Sequence, residues 1–268
     1  MFFKGRKYLV WLLVIIFFLA QVIVAGPLLA QSTGTGAGTD RIAGADRYKT
    51  AVAVSQKGWK TSDYAVLARG DDFADALCAG PLAQKYGGPI LLTQPNKLNS
   101  DTLKELQRLG VKHLFIAGGV GAVSQSVENS LKANGIDTIE RIFGNNRYET
   151  SVKIAEKIGD SSQVVLATGS DFPDALSISG IAAKLGMPIL LTAKNSLPSG
   201  VSDYLESNTV TQTYIVGGTG VISSEVASDV PGPFRLAGSN RYETNVAIMQ
   251  NFASELNFDN VYVAIGSN

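Results

Sequence analysis

Short apolar runs alternate along the chain with segments in which apolar side chains recur at helical spacing. The runs hold four to six residues and show little apolar and polar alternation, which is typical of strands buried on both faces of a parallel sheet. A helical pattern follows each run, so the sequence predicts an α/β fold with helices on both faces of the sheet. The predicted strands of the first block are 64–68, 89–93, 113–117 and 138–143.

Polar residues that can cap a helix mark where the first helix of each block begins. Asp46 stands at this position first, and Asn146 and Asn240 take its place in the later copies. Glu149 and Glu243 follow the two asparagines at the spacing of a capping box, in which each side chain satisfies an N–H group of the first turn. The other helices of the first block are predicted through Phe73, Leu77 and Leu82, at 100–109 and from about 124 to 133.

The motif Arg-(Ile/Leu)-x-Gly-x-x-Arg-Tyr-x-Thr shows that the chain is a tandem array. It stands at 41–50, 141–150 and 235–244, so the copies begin 100 and then 94 positions apart, which is the size of a small domain. The strand pattern returns with it at 164–168, 188–192 and 213–216, and once more at 261–265. The sequence therefore predicts repeat one at 41–140, repeat two at 141–234 and an incomplete repeat three at 235–268.

The first forty residues differ from the rest. Lys4, Arg6 and Lys7 precede a long apolar run, and small residues follow it, which is the layout of a secretory signal peptide at 1–30. An uncleaved membrane anchor is the alternative, and membrane contact is expected only through these residues. Residues 31–40, rich in Ser, Thr and Gly, predict a flexible linker.

Charge and cysteine content narrow the function classes. Without residues 1–30 the chain has 20 Lys and Arg against 23 Asp and Glu, a net charge of −3, which argues against a nucleic-acid partner. The single cysteine, Cys78, cannot form an internal disulfide and is expected to pack as a small apolar residue. An exported globular protein that depends on its apolar core fits both observations.

Three carboxylates, Asp71, Asp72 and Asp75, lie between a predicted strand and a predicted helix. Paired carboxylates can act as acid and base or hold a hard cation. Asp72 and its copy Asp171 have the position of a helix cap, and Asp75 and its copy Asp174 follow three residues later in the first turn, so capping is the favoured interpretation.

The glycine-rich segments 119–124 and 218–223 follow a predicted strand and open a helix, as a phosphate-binding loop does. Ser124 and Ser223 stand where the final glycine of that motif belongs, and both suit a helix N-cap. A tight turn is therefore favoured over a nucleotide site, and no cofactor is expected.

His113 is the only histidine, which leaves no Ser-His-Asp triad and no zinc site of the usual spacing. Cys78 is favoured as a packing residue over a nucleophile. The sequence thus predicts no catalytic set and no metal site, and the chain is not expected to be an enzyme by itself.

Arginines recur six positions apart in every copy of the motif. A planar guanidinium matches phosphate or carboxylate oxygens, and a row of such pairs suits a polyanion. An ion pair with Asp46, with Glu149 or with a carboxylate of a neighbouring repeat is the equal alternative. The pairs are Arg41 and Arg47, Arg141 and Arg147, and Arg235 and Arg241.

Several motifs in the same order, twice over, give the chain a family resemblance. They are the arginine motif at Arg41, Gly-Asp-Asp-Phe-Ala-Asp-Ala-Leu at Gly70, Pro-Ile-Leu-Leu-Thr at Pro89 and Ile-x-Gly-Gly-x-x-x-Val at Ile116, with copies at Arg141, Gly169, Pro188 and Ile215. With them the chain resembles the type 2 cell wall-binding repeats of Gram-positive bacteria. The resemblance implies a Toprim-like α/β unit and pseudo-threefold packing of three complete repeats.

The resemblance also implies a function: an exported surface protein held noncovalently to the wall by an anionic polymer of the teichoic-acid kind. It associates polymer binding with the Ile-Leu-Leu stretches, here Ile90, Leu91 and Leu92 and their copies Ile189, Leu190 and Leu191. The sequence itself favours a buried strand at both places. The third repeat lacks this stretch altogether.

A second function fits the resemblance as well. Related repeats are often joined to wall-modifying enzymes, so the chain is alternatively the targeting part or helper of an enzyme such as an N-acetylmuramoyl-L-alanine amidase. Any catalytic domain would then lie beyond Asn268.

Overall fold

The computed structural model describes residues 40–259, 261–264 and 266. The predicted signal peptide at 1–30 and all of the predicted linker except Asp40 lie outside the described residues. Within the described part of the chain, no helix is long and apolar enough to cross a membrane.

The apolar runs form two parallel four-stranded sheets with the same strand order, which confirms the predicted α/β class. Sheet one has the order β2-β1-β3-β4 and sheet two the order β6-β5-β7-β8. The strands of sheet one are β1 (Tyr64–Arg69), β2 (Ile90–Thr93), β3 (His113–Ala117) and β4 (Thr138–Ile142). The strands of sheet two are β5 (Gln163–Thr168), β6 (Ile189–Thr192), β7 (Gln212–Val216) and β8 (Pro233–Leu236).

Helices connect the strands and cover both faces of each sheet. The helix predicted at 100–109 has those bounds, and Ser124 and Ser223 are N-cap residues as expected. The helices that precede β1 or connect the strands of sheet one are α1 (Arg47–Gly58), α2 (Ala74–Lys85), α3 (Ser100–Leu109) and α4 (Gln125–Ala133). The later helices are α5 (Arg147–Ile158), α6 (Pro173–Leu185), α7 (Ser199–Ser207), α8 (Ser224–Ser228) and α9 (Arg241–Asn251).

The caps of α1, α5 and α9 are as predicted, with one difference. The side chains of Asp46, Asn146 and Asn240 accept hydrogen bonds from backbone N–H groups of the first turn. Glu149, however, accepts the backbone N–H of Asn145, one residue before the cap, at 3.0 Å. The glutamate therefore fixes the turn that leads into the helix instead of closing a standard capping box.

The prediction of a strand at 261–265 is wrong for the residues that the structure describes. Residues 261–264 have no strand structure, and Val263 is 93% exposed. A strand needs neighbours for its backbone N–H and C=O groups, and among the described residues no strand pairs with 261–264. Ile265 lies outside the described residues.

One apolar core joins the two sheets. Helix α2 of repeat one packs against both α5 and α6 of repeat two, and α9 packs against α6. Ala79 and Leu82 of α2, Ile154 of α5 and Ile178 of α6 are at most 1% exposed within a single cluster. The outer faces of the sheets have separate smaller cores, so the repeats share only the inner one.

Repeat one also contains a buried polar network between α1 and α3. The Glu105 carboxylate is 1% exposed and accepts hydrogen bonds from Ser55 at 2.6 Å and from two nitrogens of Arg108 at 2.7 Å each. Burial raises the pKa of Glu105, but the hydrogen bonds from Arg108 and Ser55 outweigh burial, so its pKa is lowered overall. The charged form of Glu105 thus stabilises the folded state.

Replacing Glu105 with Gln should lower the free energy of unfolding by about 1.5–3 kcal/mol at neutral pH, because Arg108 and Ser55 lose a charged acceptor. A carboxyl with a lowered folded-state pKa contributes stability that is present above its unfolded pKa and lost as the pH falls through the folded one. The deficit of Glu105→Gln should therefore shrink below about pH 4. Urea denaturation across this pH range measures it.

Glu156→Gln is the matched control, since Glu156 pairs with Lys153 on an exposed helix face. Little change in stability is expected there. A deficit of Glu105→Gln that stays constant down to low pH would contradict the assignment.

Candidate functional site

The second arginine of the first two motif copies lies at the carboxyl end of a central strand, β1 or β5. In the third copy it lies at the end of the corresponding segment, 261–265. In each copy its side chain donates one hydrogen bond to a glycine carbonyl just past that strand or segment. The pairs are Arg47 with Gly70 at 2.5 Å, Arg147 with Gly169 at 2.5 Å and Arg241 with Gly266 at 2.7 Å. The motif therefore ties the start of each first helix to the residue where ligands usually approach an α/β sheet.

The tyrosine of the motif explains why this residue is glycine. A Cβ atom added to Gly70 would lie 2.5 Å from the Tyr48 ring, and at Gly169 it would lie 2.7 Å from the Tyr148 ring. Any larger residue would displace the ring. The sequence showed both the tyrosine and the glycine as repeated residues, but only the fold shows that they touch.

The first arginine of the second and third motif copies bonds to the preceding repeat, because β4 and β8, which contain these arginines, complete sheets one and two. Arg141 donates to the carbonyl of Gly118 and to the Glu128 carboxylate, both at 2.9 Å, and its side chain is 11% exposed. Arg235 donates to the carbonyls of Gly217 at 2.7 Å and Ser223 at 3.2 Å. Arg41 is exposed.

Two ion pairs link consecutive repeats, as the alternative interpretation of the arginines predicted. Arg147 at the start of repeat two lies 3.6 Å from the Asp72 carboxylate of repeat one, and Arg241 lies 3.8 Å from Asp171 of repeat two. Each guanidinium also lies over a phenylalanine ring, Arg147 over Phe73 and Arg241 over Phe172. The recurrence of Asp-Phe just before α2 and α6 was the signal for this contact in the sequence.

The prediction that Asp72 and Asp171 cap their helices is wrong. The N-cap residues are Phe73 and Phe172, which make no side-chain cap hydrogen bond. Asp72 accepts only a long bond of 3.3 Å from the Ala74 N–H, and Asp171 accepts the N–H of Phe172. Both carboxylates lie toward the arginine of the next motif copy instead, which explains the difference.

Asp75 and Asp174 lie in the first helical turn, as predicted. Burial, and next the charge of Asp72, raises the pKa of Asp75; burial and Asp171 do the same for Asp174. Their carboxylates lie against Gly118 and Gly217, whose φ angles of 106° and 111° are adopted readily only by glycine. In the described part of the chain, no group of three or more His, Cys, Asp or Glu side chains is placed to hold a metal ion.

The Ile-Leu-Leu stretches form β2 and β6. Leu91, Ile189, Leu190 and Leu191 are at most 1% exposed. Ile90 and Leu92 of the edge strand β2 are only partly buried. Contact with a ligand is therefore open to Ile90 and Leu92 alone among these six residues in the folded state.

The remaining candidates occupy structural positions. Cys78 is 1% exposed inside the shared core, and burial raises the pKa of its thiol well above the usual range. His113 begins β3 and stacks on Tyr64 with ring centroids 4.7 Å apart. Ser223 caps α8 by accepting the N–H of Val226.

Comparison with known proteins places this geometry in a family. The sequence model of Cell wall binding domain 2 matches residues 41–128 and 141–227. The chain is 37% identical over 249 residues to the N-acetylmuramoyl-L-alanine amidase LytC of Bacillus subtilis, covering 93% of the chain and 49% of LytC. It is also 37% identical to the Amidase enhancer of Bacillus subtilis, over 85% of the chain and 31% of that protein.

Solved structures agree. Cwp6 from Clostridium difficile is similar with a TM-score of 0.75 and 32% identity, over 83% of this chain and 38% of Cwp6. Cwp8 from Clostridium difficile gives a TM-score of 0.71 and 31% identity, over 79% of this chain and 37% of Cwp8. The chain thus spans half or less of each of these relatives.

The family match covers 41–128 of repeat one and 141–227 of repeat two, and the arginine motifs, the glycines bonded to Arg47 and Arg147, and the Ile-Leu-Leu strands lie within these ranges. Such a match implies cell wall components as ligands and a location at the cell wall or surface. The chain belongs to the Cell wall binding domain 2 family.

Proposed function

We propose that the chain is an exported module that attaches noncovalently to a Gram-positive wall through an anionic polymer of the teichoic-acid kind. The observation that supports this most directly is the repeated guanidinium at the carboxyl end of a central strand, provided by Arg47 and Arg147, and at the corresponding position by Arg241. Ligands of open α/β sheets bind at this edge.

The guanidinium groups keep capacity for an anion. The side chains of Arg147 and Arg241 are 35% and 37% exposed. One nitrogen of each donates to the glycine carbonyl, while a second lies 3.6–3.8 Å from a carboxylate, too far for a good hydrogen bond. Phosphate oxygens of a polymer can therefore take the remaining N–H groups.

Repetition makes weak contacts effective. A polymer that carries charges at regular intervals can engage several arginines at once, and each later contact is then intramolecular. Arg41, which is exposed, is a further contact in this proposal. Arg141 and Arg235 act mainly by holding the turn in place, since their N–H groups are bonded to residues of the preceding repeat.

The Ile-Leu-Leu strands have two different roles in this proposal. Ile90 and Leu92 are the members with accessible side chains and could contact the sugar or alkyl part of the polymer. Leu91, Ile189, Leu190 and Leu191 support binding only through the fold, because they are fully buried. Loss of binding after their replacement would therefore need a separate test of folding.

The second candidate function is the wall-targeting part or helper of an N-acetylmuramoyl-L-alanine amidase. It is favoured by the similarity to proteins named amidase and Amidase enhancer, of which the chain covers 49% and 31%. Any catalytic domain would lie beyond Asn268, so the sequence that follows Asn268 separates the two candidates. A domain there with metal-ligating His and Glu residues would favour the second.

The purified chain should sediment with isolated walls and should be retained less after the anionic polymers are extracted from them. Added NaCl should weaken retention, because exposed charges are screened over a shorter distance. Cosedimentation on intact and extracted walls measures both effects. Equal retention on the two kinds of wall would contradict the polymer contact, and retention independent of salt would contradict the role of the arginines.

Arg147→Gln and Asp72→Asn separate polymer binding from the ion pair, because each breaks the same pair but only the first removes the guanidinium. Arg147→Gln should weaken wall retention by about threefold to tenfold, since charge-assisted hydrogen bonds to the polymer are lost. Asp72→Asn should leave retention unchanged or raise it, because a competing carboxylate is gone.

Thermal unfolding of both variants, followed by circular dichroism, provides the control for folding. If Asp72→Asn weakens retention as much as Arg147→Gln does, Arg147 acts on binding through the ion pair and not by touching the polymer.

A further inference from the structure

A pocket of about 210 Å³ lies at the amino ends of β1, β3 and β4, where sheet one meets the last turns of α2 and α5. It is at the opposite end of the strands from the arginines described above. Its volume is equal to the share of about seven water molecules in the liquid, which suits one ring-sized group. We call it the aromatic pocket, and its principal lining residues are Tyr64, Tyr86, His113, Phe115, Glu140 and Lys157.

Four rings line the aromatic pocket and fix one another. Tyr64 stacks on His113 with centroids 4.7 Å apart and an interplanar angle of 18°, and it lies 5.0 Å from Tyr86. Phe115, only 4% exposed, lies 4.7 Å from Tyr86. Tyr64, Tyr86 and His113 are partly exposed and line the pocket, so part of each residue is open to solvent there.

The charges in the aromatic pocket cancel. The Lys157 ammonium donates a hydrogen bond to the Glu140 carboxylate at 2.8 Å and lies 5.4 Å from the Phe115 ring centroid. Lys157 already occupies the place that a cationic ligand would take over Phe115. An anion would compete with Glu140. The ion pair instead offers a donor and an acceptor side by side, which hydroxyl groups can use.

Repeat two shows that the fold does not require these residues. The register places Gln163 and Gln212 opposite each other where repeat one has Tyr64 and His113. It likewise pairs Tyr214 with Phe234 where repeat one pairs Phe115 with Glu140. In repeat two the ring of Tyr214 packs edge-on against Phe234 and Phe252. The same backbone is thus stable without the stacked rings or the ion pair.

We infer that the aromatic pocket binds an uncharged pyranose ring of a wall polysaccharide. Flat ring surface suits the apolar face of a sugar, and the Glu140 and Lys157 pair suits its hydroxyl groups. The inference rests on the proposed function in that the ligand is part of the wall. It adds a sugar contact in repeat one at the far end of the sheet from the phosphate contacts.

His113 provides a specific reporter because it is the only histidine of the chain. In a ¹H–¹³C spectrum of the full chain at constant pH, its imidazole signals should shift with a saturable dependence on N,N′-diacetylchitobiose, an uncharged disaccharide. Glycerol phosphate, an anion without a sugar ring, should shift them little.

Tyr64→Gln introduces the residue that repeat two has at this position. It should lower the affinity for the disaccharide at least about fivefold, since one stacking surface is lost. Tyr262→Gln is the matched control: it removes a tyrosine that is 78% exposed and distant in sequence, and affinity should not change. If Tyr64→Gln does not fold, Lys157→Asn replaces it. That variant takes Asn251 from the equivalent position of α9 and should weaken binding about threefold.

No saturable shift of His113, an equal shift with glycerol phosphate, or unchanged affinity in a folded Tyr64→Gln or Lys157→Asn variant would each overturn the inference. These results would leave the anionic-polymer proposal intact, because the disaccharide carries no charge. Equal retention on extracted walls would overturn the polymer proposal whatever the disaccharide does.

Discussion

Packing of α2 against α5 and α6 is the contact on which the rest of the structure depends. Each sheet is parallel and apolar on both faces, so each needs two layers of cover. The outer layer comes from the repeat's own helices, whereas the inner layer is one core that contains Leu82 of repeat one and Ile154 and Ile178 of repeat two. Neither repeat can bury its inner face alone, so the two form one folded unit.

The candidate sites follow from this contact. Arg147 reaches Asp72 and Phe73 because α5 of repeat two starts beside the carboxyl end of sheet one. Lys157, at the other end of the same helix, reaches Glu140 and Phe115 at the amino end of that sheet. One helix of repeat two therefore completes both ends of repeat one, and both proposed contacts with the wall depend on the repeats staying together.

The sequence was sufficient for features that depend on local chemistry. The buried strands, the caps Asp46 and Asn146, and helix α3 follow from apolar runs and N-cap residues, which act within a few positions. The strand at 261–265 failed for a non-local reason: Val261 and Val263 favour extended structure, but a strand also needs hydrogen-bond partners. The arginine motif was correctly singled out, but its aspartate partner depends on how the repeats pack. Likewise, the rings of the aromatic pocket come from different elements and meet only in the fold.

Native-state hydrogen exchange in increasing denaturant tests the shared core most directly. The amides of Leu67 in β1 and Leu166 in β5 lie at the centres of the two sheets and are both fully buried. If the repeats are one cooperative unit, their exchange free energies should converge on a single value equal to the global free energy of unfolding. Exchange of Leu67 through an opening that leaves Leu166 protected, or the reverse, would show that the repeats unfold separately and would contradict the shared core.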